Sequence, residues 1–88
     1  MNNDRELLKL AAKAAGISIK FHGGMPWLSS GKRPWDPLTD DGDALRLAVK
    51  LKLWTHSGMG NYHDQPDPYA ATRRAIVRAA AAIGETIA

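Results

Sequence analysis

Pro34-Trp35-Asp36-Pro37-Leu38-Thr39-Asp40-Asp41-Gly42-Asp43-Ala44-Leu45-Arg46-Leu47-Ala48-Val49-Lys50-Leu51 joins an aromatic-proline turn, an acidic helix start and an amphipathic helix. Pro34 and Pro37 force extended or turn geometry on the residues before them, so helix cannot begin until both are passed. Thr39, Asp40, Asp41 and Asp43 then offer side-chain oxygens to unpaired N-terminal amides and negative charge to the positive end of the helix dipole. A helix from about Asp41 to Lys52 follows. Its apolar residues Ala44, Leu45, Leu47, Ala48, Val49 and Leu51 spread widely around the cylinder, and it is expected to be the most buried of the helices.

Upstream, Leu7, Leu8, Leu10, Ala11, Ala14 and Ala15 repeat at helical spacing between Asn3 and Ala15, with Asn3 or Asp4 as N-cap and Gly16 as the stop. Ile17 to His22 alternates apolar and polar residues, as a half-buried strand does, and ends at Gly23-Gly24. Met25 to Arg33 reads either as a strand returning from a hairpin or as a loop. Downstream, Leu53-Trp54-Thr55-His56 and Tyr62-His63 flank a turn-rich segment and suggest a second hairpin. Asp67-Pro68 sets an N-cap before a proline at the first helical position. A last helix is expected from Tyr69 to Ile83, with Ala75, Ile76, Ala79, Ala80 and Ile83 on one face and Gly84 as its stop.

Eighty-eight residues make one domain, here 1–88, whose small core would gain from a partner or from self-association as a homo-oligomer. With 44% hydrophobic and 24% charged residues the chain is expected to fold rather than stay disordered. Three amphipathic helices and a short sheet must hide their apolar faces on one another. Hairpin links are too short for parallel crossovers, so the expected fold is an α+β, three-layer α/β/α sandwich with a short, mainly antiparallel sheet. Cysteine is absent, which removes disulfides, thiol catalysis and cysteine-held zinc together. No apolar run reaches the roughly 18 to 20 residues that span a bilayer, and the polar start is unlike a signal peptide, so a cytoplasmic location is expected. The net charge of +3 favours acidic partners only mildly.

The opening stretch resembles a family of small uncharacterised phage and prophage proteins, the phage ABA sandwich domain family. The likeness extends to Leu7 through Ile17 and to Ala70 through Ala81. Two loops depart from the family pattern: Trp35-Asp36-Pro37 stands where Trp-Asn-Pro is expected, and Ser57 to Pro66 where a longer apolar stretch is expected. The resemblance implies α/β/α layering and a phage product acting in the host cytoplasm. It supplies no catalytic residues.

Chemistry-bearing residues give no enzyme signature. The aspartates of the opening stretch lack EF-hand spacing and are explained by helix capping. His22, His56 and His63 have neither helical ligand spacing nor a catalytic motif. Ser29-Ser30-Gly31-Lys32 lacks both the earlier glycine and the following hydroxyl residue of a phosphate loop. No catalytic, cofactor or metal residue is therefore assigned, and the chain is read as a non-enzyme. Arg73, Arg74 and Arg78 on the last helix could grip an anionic partner, or pair with Glu85 or with the acidic motif. Trp27, Trp35, Trp54, Tyr62 and Tyr69 lie mostly in or beside loops. Trp35 and Trp54 are assigned chiefly to sealing the fold, whereas Trp27 and Tyr62 are weighed equally as contact residues. The candidate partner-binding set is thus Trp27, Tyr62, Arg73, Arg74 and Arg78, facing a host or phage protein. Nucleic acid is the alternative partner, held back because Lys9, Lys13 and Lys20 show no interleaved aromatic platform. A metal-dependent hydrolase at the acidic turn ranks last.

Overall fold

The computed structural model describes residues 4–53 and 66–87. Among them the elements are α1 (Asp4–Ala15), β1 (Ile19–His22), β2 (Met25–Leu28), α2 (Asp41–Leu51) and α3 (Pro68–Thr86). Three helices with a two-stranded antiparallel sheet make an α+β fold, the class expected from the sequence. The proposed second hairpin, with Trp54, His56, Tyr62 and His63, lies outside the described residues.

Helix against helix forms the core. α1 buries Leu7, Leu8, Ala11, Ala12 and Ala15, and α3 buries Ile76, Val77, Ala80, Ala81 and Gly84, the same spacing on both helices. Asp4 pairs with Arg74 near their starts, and Leu10 meets Gly84 further along, so the two helices run in the same general direction. They touch each other directly, and among the described residues no strand lies between them. Small residues permit this, because alanine and glycine let two backbones approach closely.

Two expectations for the helices need correction. Gly84 does not stop α3, which continues to Thr86; it sits inside the helix against the Leu10 backbone. The buried face is correspondingly turned toward Val77 and Ala81, because α1 docks on the side that carries the glycine. Nor is α2 the most buried helix, since Leu45 and Val49 are 64% and 57% exposed. α2 packs through Ala44, Leu47 and Ala48, and its second apolar stripe faces outward.

α1 and α2 end in the same way. Ile17 N–H donates to the Ala12 carbonyl and Gly16 N–H to that of Lys13, closing α1 in a Schellman motif with Gly16 at φ +69°. Leu53 N–H to Ala48 and Lys52 N–H to Val49 repeat the motif after α2. There a lysine occupies the left-handed position, at φ 57°.

Gly23 and Gly24, both at positive φ, make the two-residue turn between the strands and fix their register. Ile19 faces Leu28, Lys20 faces Trp27, Phe21 faces Pro26 and His22 faces Met25. One face, with Ile19, Phe21 and Leu28, packs on the core. Arg33 and Trp35 cover the far edge of β2: Leu28 N–H donates to the Arg33 carbonyl and Trp35 N–H to that of Pro26. Trp35 itself is 3% exposed and sits in the core, as its sealing role required.

Candidate functional site

The acidic turn is a structural hub. Asp40 caps α2, its Oδ2 accepting from Asp43 N–H at 2.7 Å. Asp43, only 3% exposed, receives Arg33 Nη2 at 3.0 Å and Arg46 Nη2 at 2.9 Å on Oδ1, and the Asp36 amide at 3.0 Å on Oδ2. Burial alone would raise the Asp43 carboxyl. The Asp36 amide and the Arg46 and Arg33 guanidiniums outweigh it and hold the group below its ordinary value. Asp36 Oδ1 accepts from Leu38 N–H, closing the turn around the buried Pro37. These carboxylates are engaged by amides and guanidiniums, the arrangement a folding device requires.

Two of the three arginines on α3 are committed to carboxylates of the fold, one of them in this turn. Arg73 is turned inward, its side chain 17% exposed, with Nε donating to the Leu38 carbonyl at 2.9 Å and Nη1 to Asp41 at 2.6 Å. It ties α3 to the start of α2. Arg74 makes a fork onto Asp4, at 2.9 and 3.2 Å, and the hydrogen bond lowers the Asp4 carboxyl and raises the guanidinium. Arg78 is exposed and borders a shallow groove with Leu7, Ala81, Ala82 and Glu85, its charge also acting on Asp4. None of the three lines the surface around Trp27. Tyr62 lies outside the described residues.

Trp27 occupies a different surface, the outer face of the hairpin. The pleat sends Lys20, His22, Met25 and Trp27 to the side opposite the core. Lys20 and Trp27 are direct cross-strand partners, the spacing at which antiparallel side chains touch. With His22 and Gly31 they line a shallow depression of about 270 Å³. Trp27 is half-buried, so its ring is anchored while part of it remains open, and Lys20, His22 and Met25 are exposed. Gly31, at φ +76°, leaves open space where a side chain would stand, and Lys32 follows it in the exposed loop. Lys20 therefore does stand beside an aromatic group, contrary to the linear reading of the sequence.

The missed signal was in the chain. A two-residue Gly23-Gly24 turn pairs His22 with Met25 and hence Lys20 with Trp27. Charge supports the same face: no carboxylate occurs between Glu6 and Asp36, a stretch that holds Lys9, Lys13, Lys20, Lys32 and Arg33. Arg33 is drawn into the Asp43 hub. Lys20 remains on the hairpin and Lys32 in the exposed loop that follows β2.

No family model, no curated protein and no solved structure matches the chain. Among the described residues no helix is long and apolar enough to cross a membrane.

Proposed function

We propose that the protein is a non-enzymatic binding module whose working surface is the outer face of the β1–β2 hairpin. The carrying observation is the cross-strand pair of Lys20 and Trp27, an anchored aromatic ring beside an exposed cation. Half-buried tryptophans next to charged groups suit binding, because a rigid ring contributes contact area without losing much side-chain freedom. The resemblance of Pro34 to Leu51 to the phage ABA sandwich family supports a phage or prophage accessory role, exercised on a host or phage macromolecule in the host cytoplasm.

Arg73 and Arg74 support this placement from the other side. Both are committed to carboxylates of the fold, so engaging a partner through them would first break tertiary ion pairs. Among the described residues, Lys20 and Lys32 have no such tertiary ion pair to break. Immobilised protein incubated with bacterial lysate, followed by crosslinking, tests the reading. The wild type should enrich a macromolecule, Lys20→Ala and Trp27→Ala should lose it, and Arg74→Ala should retain it. Equal recovery by all four proteins, or none by the wild type, would overturn the reading.

A further inference from the structure

Resting on the hairpin reading, we infer that the ligand of this face is single-stranded nucleic acid, with a base laid on Trp27 and neighbouring phosphates met by Lys20 and Lys32. Single strands are held by two elements, an aromatic surface on which bases stack and cations that follow the backbone. Both are present within one hairpin. The cross-strand register makes Lys20 and Trp27 neighbours on one pleat face, which also carries His22, and the three line one depression. The depression they line opens over Gly31, where the lack of a side chain leaves room for a flat group against the ring.

Charge narrows the partner further. With no carboxylate from Leu7 to Trp35, every charged side chain that this segment itself brings to the face is positive, although Met25 at its edge borders Asp36 and Asp40. An apolar protein surface would strip water from Lys20 without supplying a counter-ion, which is unfavourable. A phosphate backbone supplies one at each nucleotide. Duplexes offer phosphates too, but their bases are stacked on one another and present no open face to Trp27. The combination therefore selects unpaired bases.

Fluorescence anisotropy of a short fluorescein-labelled oligothymidylate provides the test, at low and rising salt, with the matching duplex as competitor. The wild type should bind the single strand in preference to the duplex, and affinity should fall as salt rises. Trp27→Ala should weaken binding about tenfold or more, as loss of one stacked base does. Trp27→Tyr should bind within a few-fold of the wild type, separating loss of the ring from loss of fold. Lys20→Ala, at an exposed position, should make the slope of log affinity against log salt shallower by about 0.7.

Absence of binding at low salt would overturn the inference, as would a duplex bound equally well, or affinity and salt slope both unchanged in Trp27→Ala and Lys20→Ala. If the oligonucleotide fails to bind while lysate capture of a protein still depends on Trp27, the nucleic-acid assignment falls and the hairpin reading stands. If capture is also independent of Trp27 and Lys20, both fall.

Discussion

Gly84 of α3 lies so close to Leu10 of α1 that a β-carbon there would overlap the Leu10 carbonyl oxygen and stand 2.8 Å from its carbon. Helix propensity and packing consequently make opposite predictions for Gly84→Ala. Propensity alone would stabilise the protein by about 1 kcal/mol. Backbone cannot move aside as a side chain can, so we expect a net loss of about 2 kcal/mol, the scale of overpacking. Urea unfolding measures it, and a gain in stability would contradict the helix packing described above.

Asp43 is expected to set part of the acid limb of stability. Its folded carboxyl lies below the ordinary value of 3.8, so the stabilisation is present above that pH and is lost as pH falls through the folded value. Asp43→Asn should cost about 2 kcal/mol near neutrality, in the range for hydrogen bonds to a charged group. It should also flatten the decline below pH ~4. Thermal melts across an acid series would show both. An unchanged acid limb would place the titrating groups elsewhere.

Lys52 stands at a backbone angle that favours glycine, φ 57°, in the motif that closes α2. Lys52→Gly relieves that strain but adds freedom to the unfolded chain, leaving a net gain of about 0.5 to 1 kcal/mol. A higher melting temperature is expected. A loss would mean that the lysine side chain contributes contacts of its own.

Arg73 and Arg74 are neighbours with different duties. Arg73 is mostly covered and bonds both a backbone carbonyl and Asp41, whereas Arg74 is partly and Asp4 largely open to water. Arg73→Ala should cost about 1 to 3 kcal/mol and Arg74→Ala less than about 1 kcal/mol. Chemical denaturation of the two variants compares them directly, and the reverse order would contradict the assigned roles.

The local elements were legible because each carries its own signal. Proline and aspartate started α2 at Asp41, Asp67-Pro68 started α3, and Gly16 closed α1. What depended on distant neighbours was not. Nothing near Gly84 in the chain announces Leu10, and by sequence alone a glycine near a helix end reads as a stop. The Asp43 hub draws Arg33 across the turn around Pro37, and spacing alone gave no reason to prefer that partner. The Lys20–Trp27 face lies between these cases. Its register follows from Gly23-Gly24, but only once Met25 to Leu28 is committed to a returning strand rather than a loop.

The hairpin as working surface is tested most directly by amide chemical shifts of the 15N-labelled protein during titration with oligothymidylate. Progressive shifts are expected at Lys20, Phe21, His22, Met25 and Leu28, and at the Trp27 indole N–H, with little change from Arg73 to Ala81. Shifts confined to the α3 arginines would contradict the hairpin as working surface, and none at saturating oligonucleotide would overturn the nucleic-acid assignment.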